Sequence, residues 1–174
     1  PDKVKTDAAD YGTAMHSAID HFILHGKFPD DMRKDIQPAI DSFLKWWGKG
    51  RKIRLGDTFV ASKFFRFGGA FDAIEEREDG LWIQDWKSSN SAHQEMAVQV
   101  GGGYTIAFEE TYGIRPAGAT IVRFGKAEPD FEALDVADIG SAQRAFGHAL
   151  ELKRAMSKNL FASVPLTKKK IKEI

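Results

Sequence analysis

Cysteine is absent from the 174 residues, which excludes a disulfide framework, a cysteine-type structural zinc site and any iron–sulfur cluster. A reducing compartment agrees with that absence. Proline is scarce, at 6 residues, and no Pro-, Gly- or Ser-rich linker interrupts the chain. One domain over residues 1–174 is therefore expected, with N-terminal helices to 50, a core over 51–157 and a polar tail over 158–174. At this length it buries roughly two-thirds of its unfolded surface. Neither sign of charge is in excess: Lys+Arg and Asp+Glu are both 25. Bulk attraction to nucleic acid or an anionic membrane is excluded, and any polyanion must be met by local clusters. No apolar run approaches a membrane span, no segment resembles a signal peptide, and no phosphate-binding loop marks an attached ATPase. The chain begins at Pro1 rather than Met, which leaves open whether native residues precede it.

What is present reads as helix, helix, three strands, helix, two strands, helix. Apolar residues at helical spacing (Tyr11, Met15, Ala18, Ile19, Phe22, Ile23) predict a first helix capped by Asp7 and stopped by Gly26. A second runs through Ile36, Ile40, Phe43, Leu44 and Trp47 to Gly48, with Pro38 as a kink or a late start. Three β-rich runs follow between Arg51 and Lys87: "KIRLGDTFVAS", "FRFGGAFDAI" and "LWIQDWK". Ser91 and Gln94 stand in capping-box spacing ahead of a helix. "AGATIVRFG" and "DFEALDVAD" predict two further strands, and "IGSAQRAFGHALELKRAMSK" a last helix. The aromatic residues Phe64, Phe65, Phe67, Trp46 and Trp47 read as core.

Charges inside the apolar runs at Asp72, Asp85 and Lys87 need a reason. With Asp79 and Gly80 as a two-residue hairpin turn, Asp72 falls opposite Lys87 and Ile74 opposite Asp85. All then project from one face, the two carboxylates within roughly 8 Å as diagonal neighbours. Such a pair can share a divalent ion, and Mg²⁺ favours a few carboxylates plus water and phosphate oxygens. With a lysine at the same place the set suits metal-assisted phosphodiester hydrolysis. The plainer reading is a cross-strand ion pair on a half-exposed sheet, because an acid-x-Lys triplet occurs roughly once by chance in a chain this long. Another, Glu151-Leu152-Lys153, lies on a helix, where i and i+2 do not share a face.

"GTAMH", "FGGAFDAI", "GLWIQDWKSS" and "QVGGGY", in that order and spacing, resemble the RecB-type branch of the PD-(D/E)XK nuclease superfamily, near the phage-type exonucleases and the mitochondrial genome maintenance exonucleases. The resemblance covers roughly residues 9–157. It implies an α/β restriction-endonuclease-like core, a central mixed sheet flanked by helices. It further implies Asp72 and Asp85 as metal-ligand carboxylates, the Trp86 backbone carbonyl and His16 as further ligands, Lys87 as the catalytic lysine and Gln99 as the glutamine of the following helix. Asp57 falls where relatives often carry a glutamate. Tyr104 departs from the pattern: the family tyrosine comes four residues after the glutamine, where Gly103 stands here. The implied cofactor is Mg²⁺, or Mn²⁺ given an imidazole ligand.

The glycines Gly101 to Gly103 are costly in a helix, about 1 kcal/mol each. They mark either a break and tight packing or close approach of the substrate. Ser88 and Ser89 are candidate phosphate donors or simply caps of the next helix. Arg51, Lys52 and Arg54, and the tail lysines 168–172, are candidate backbone contacts on nucleic acid. The expected function is a metal-dependent exonuclease at single- or double-stranded DNA ends, in recombination, repair or phage DNA processing. A recombination or single-strand-binding protein is a further expected partner. The expected location is the cytoplasm of a bacterial or phage-infected cell, or the mitochondrion of a eukaryote. An endonuclease of the same fold and a silent DNA-binding module are the alternatives.

Overall fold

The computed structural model describes residues 2–54, 58–89 and 91–158, without the side chains of residues 2–6 and 58. Asp57 and the lysines 168–172 lie outside the described residues. Helix α1 (Asp2–His25) ends at Gly26, whose φ of 71° is a left-handed stop and whose N–H donates to the Phe22 carbonyl. It starts well before Asp7, so that residue is interior to the helix and caps nothing. Helix α2 (Gln37–Trp47) follows a short 3₁₀ turn and carries Pro38 in its first turn, where a missing N–H costs nothing. Pro38 is thus a late start and not a kink.

The first two β-rich runs each break in two. The observed strands are β1 (Lys52–Arg54), β2 (Thr58–Ser62), β3 (Phe67–Phe71), β4 (Ala73–Arg77) and β5 (Gly80–Lys87), later joined by β6 (Gly118–Phe124) and β7 (Phe131–Asp135). Five make a mixed sheet in the order β1-β4-β5-β6-β7, in which only β5 and β6 are parallel; β2 and β3 form a separate two-stranded ribbon. The parallel step is bridged by α3 (Gln94–Ala97), a π-helical segment (Val98–Tyr104) and α4 (Thr105–Tyr112). Helix α5 (Ile139–Met156) closes the fold, capped by Asp138, whose carboxylate accepts from the Ser141 N–H at 2.8 Å.

Alternation along the central strands sends residues to two apolar clusters. Met15, Ile40, Phe43, Trp46, Trp86 and Phe124 pack between the sheet and α1–α2; Val60, Phe71, Ile83, Val100, Phe108 and Ile121 pack beneath the crossover helices and the ribbon. Trp86 and Asp85 are neighbours in sequence and therefore face opposite layers. Trp46 is core and Trp47 packs against it as read from sequence, but Phe64 is not core: at 81% exposure it stands out at the ribbon tip. Ser91 and Gln94 do not form a capping box. The helix begins at Gln94 after an extended His93 with no side-chain cap, and the Ser91 hydroxyl lies 3.3 Å from His93 Nε2 instead.

Hairpin register departs from the sequence expectation by two residues. Arg77 pairs with Gly80 and Ile74 with Ile83, so Glu78 and Asp79 are the turn. Gly80 holds a φ of 133° open to glycine and enters the ladder. Asp79 accepts from the Trp82 indole at 2.8 Å, pinning that turn. The ladder ends with Ala73 opposite Gln84, and Lys87 extends past the end of β4 beside Arg123 of β6. Because the slip is even, Asp85 and Lys87 keep the face expected for them.

Candidate active site

The site forms where the sheet splits. Beyond Ala73 the chain bends at Asp72 and β3 leaves for the ribbon, so β5 loses its neighbour just as it reaches Asp85, Trp86 and Lys87. Asp72 replaces the missing strand: its Oδ2 accepts the Trp86 N–H at 2.6 Å, and its own N–H donates to the Gln84 carbonyl at 3.2 Å. A strand residue directs its N–H and C=O to the same side, so the Trp86 carbonyl faces this opened edge.

Helix α1 supplies the opposite wall. His16 Nδ1 lies 2.6 Å from Asp72 Oδ1, which leaves Nε2 for any other ligand. One turn earlier stands Gly12, where a β-carbon would sit 3.5 Å from the Ser88 hydroxyl; α1 thus comes down beside the end of β5. Burial opposes charge on His16, but the hydrogen bond and charge of Asp72, reinforced by Asp85, outweigh it and raise its pKa.

Asp85 is 3% exposed. Burial, then the charge of Asp72, push its carboxyl up to about 6 against the pull of Lys87. Its Oδ2 contacts the Lys87 ammonium and has no other hydrogen-bond partner. Lys87 is also held above its usual range: burial works against the ammonium, and the Asp85 charge prevails. The pair at this face is Asp85–Lys87, not the Asp72–Lys87 pair that facing strands would have made.

From the crossover, Gln99 donates its side-chain N–H to the Tyr104 hydroxyl at 2.7 Å. Burial and then the charge of Asp85 raise the Tyr104 phenol, keeping it protonated. The extra residue between them is absorbed by the π-helical turn: with i→i+5 bonding, residues five apart share the face that residues four apart share in an α-helix. The glycines permit that turn to pack. A β-carbon on Gly102 would sit 2.3 Å from the Ala142 carbonyl oxygen, on Gly103 2.7 Å from the Phe146 ring and on Gly101 2.7 Å from Val136. The three glycines are buried against α5 and Val136, just past the end of β7.

Among solved structures, a crystal structure from Eubacterium rectale named "Putative exonuclease" matches with a TM-score of 0.59 at 13% identity, over 84% of this chain and 65% of that one. The two share a fold. The chain thus spans about two-thirds of that structure's length. No family model and no curated protein matches the sequence. The shared architecture is the five-stranded mixed sheet flanked by helices, the core on which this site is built.

Other expected residues lie apart. Arg51 turns inward to Glu75 at 2.7 Å and stacks over Trp46; Arg54 pairs with Glu76 at 2.7 Å; Lys52 is exposed. The Ser89 hydroxyl donates to the Ser91 carbonyl at 2.8 Å, holding a turn and capping no helix.

A polar cluster absent from the sequence reading lies on the far face of the sheet. Buried Glu75 accepts from Arg51, Arg77 and, at 3.1 Å, Gln84; Arg77 also reaches Thr120 at 2.8 Å and Asp135 at 3.0 Å. Its signal was there to read: Glu75 and Arg77, two apart in "AIEER", share the strand face that also carries Ala73.

The donor set suits a hard divalent ion: two carboxylates whose charges conflict, one with an oxygen served only by an ammonium, and a carbonyl and an imidazole on the same edge. Among the described residues no three such side chains are already gathered around one point. Asp85 would have to exchange Lys87, and Asp72 to share His16, for an ion to enter.

Proposed function

We propose that the chain is a metal-dependent deoxyribonuclease of PD-(D/E)XK type, acting as an exonuclease on DNA ends. The supporting observation is the convergence of Asp72, Asp85 and Lys87 at the split of the sheet, with His16 closing from α1. Asp72, Asp85, the Trp86 carbonyl and His16 Nε2 would hold Mg²⁺ or Mn²⁺. Such an ion, when bound, polarises a phosphodiester and lowers the pKa of water.

The protein's own groups do the rest. Asp72 is fixed by the Trp86 N–H and His16, so one carboxylate is oriented before substrate arrives. Lys87, released from Asp85, presents an ammonium to charge developing on phosphate oxygens. Tyr104, its oxygen occupied by Gln99, keeps its O–H free to donate to a phosphate beside Lys87. DNA ends as the substrate, and recombination, repair or phage DNA processing as the setting, rest on the resemblance and on the shared fold.

The test is digestion of end-labelled linear DNA and closed circular DNA, single- and double-stranded, with Mg²⁺ or Mn²⁺. Linear DNA is expected to be shortened from its ends and circles to persist. Lys87→Ala should lower the rate by at least about a hundredfold. Cleaved circles would replace the exonuclease by an endonuclease of the same fold, and undiminished Lys87→Ala would remove this site.

A further inference from the structure

The β2–β3 ribbon leads straight into Asp72 and has two unlike faces. Val60, Ser62 and Phe71 are buried against the crossover helices, while its exposed residues are Phe59, Lys63, Phe64, Arg66, Gly68 and Ala70. Two are cations, two are phenylalanines and none is acidic, on a chain whose charges balance as a whole.

Phe59 is 68% exposed. It pairs with Ala70, two residues before Asp72. Its ring leans toward the tip and lies over Gly68, four residues and roughly 13 Å before Asp72 along the strand, where a β-carbon would be 2.7 Å from Cζ. Glycine seats the ring against the ribbon and leaves its other side to solvent. Phe64, 81% exposed, sits on the tip, roughly 17 Å from Asp72.

That tip is held firmly for so exposed a loop. Glu110 accepts the Lys63 and Phe64 N–H groups at 2.7 and 3.0 Å, the Ser62 hydroxyl accepts the Phe65 N–H at 2.9 Å, and Arg154 donates to the Phe65 carbonyl and, at 2.9 Å, the Arg66 carbonyl. Arg66 closes the loop at a φ of 53°, a left-handed conformation uncommon for a non-glycine residue. The Phe64 ring packs edge-on against Phe65 at 4.8 Å between centroids and otherwise faces solvent on this fixed backbone, and a preorganised ring is what a stacking partner requires.

We infer that this ribbon is a single-strand guide: Phe59 stacks a base on the strand leading away from the phosphate held at Asp72, and Lys63, Phe64 and Arg66 engage the strand further out. The inference rests on the nuclease reading for its placement but not for its test. A single strand is the fitting occupant because every base offers a π-face and its backbone supplies the anionic complement to the two cations. A paired base would keep its faces within the duplex.

The test uses the full chain in chelator with a fluorescein-labelled oligothymidylate of about 20 nucleotides and a blunt duplex of the same length, followed by anisotropy. Phe59→Ala and Phe64→Ala are each expected to weaken single-strand binding about tenfold, Phe59→Trp to retain it, and duplex binding to change less. Both positions are exposed, so melting temperatures should stay near wild type. Hydrolysis of bis(p-nitrophenyl) phosphate with Mn²⁺, too small to reach the ribbon, should be unchanged. Unaltered single-strand affinity in both variants, no binding by wild type at low salt, or equal losses on duplex would each overturn the guide. If wild type fails to cleave the small diester while the variants still lose single-strand binding, the nuclease reading falls and the guide stands.

Discussion

Asp85 shows how one residue carries the molecule's main electrostatic conflict. Its carboxyl, ordinarily near 3.8, stands at about 6 because burial and Asp72 disfavour its charge. A folded-state pKa above the unfolded one means the native protein binds the proton more tightly. The stability this contributes is fully present below the unfolded value and is lost as pH rises through about 6. In chelator, wild type is therefore expected to lose on the order of 3 kcal/mol relative to Asp85→Asn between about pH 4 and pH 8. Urea melts of both proteins across that range would show it. A difference that does not change with pH would mean the carboxyl titrates normally and the conflict is absent. The charges themselves were legible as residues out of place in apolar strands. Which of them pair was not, because a one-residue shift of the turn moves the pairing by two, leaving every side chain on its face while changing every partner.

Among the elements, the crossover helix departs most from an ideal form. Gln99 and Tyr104 are spaced wrongly for an α-helix, and the π-helical turn brings them together. Placing Ala at Gly102 adds helix propensity worth about 1 kcal/mol but drives a β-carbon into the Ala142 backbone. The backbone cannot yield as a side chain can, so a net loss of about 1–3 kcal/mol is expected, measured by chemical denaturation. A stabilised Gly102→Ala would mean that α5 is not pressed on this turn. Tyr104→Phe tests the other end of the element. It should fold like wild type and, if the phenol serves the site, cut DNA about tenfold more slowly. The sequence shows three successive glycines in a helical stretch, an anomaly without a direction; only the position of α5 explains it.

For the molecule as a whole, the two faces of the sheet divide the labour. One gathers Asp72, Asp85 and Lys87; the other buries Glu75 between Arg51 and Arg77, with Gln84, Thr120 and Asp135 around it. Removing the one carboxylate that two guanidiniums share takes the ion-pair partner from Arg51 and leaves Arg77 only the exposed Asp135. Glu75→Ala is expected to cost about 3–5 kcal/mol, and Glu75→Gln, which keeps the hydrogen-bonding shape, less. Equal melting of Glu75→Ala and wild type would show that water enters the cluster freely. No helix among the described residues is long and apolar enough to cross a membrane. Residue types and periodicity alone determined the helices and the mixed α/β class and marked Asp72, Asp85 and Lys87 as charges within apolar strands, because helical and strand repeats are local properties of the chain. Tertiary structure decided the rest. It set the register that pairs Ile74 with Ile83, the split in the sheet that opens the edge at Trp86, the approach of His16, and the exposure of Phe59 and Phe64. Each depends on segments distant in sequence competing for the same space, which no local pattern encodes.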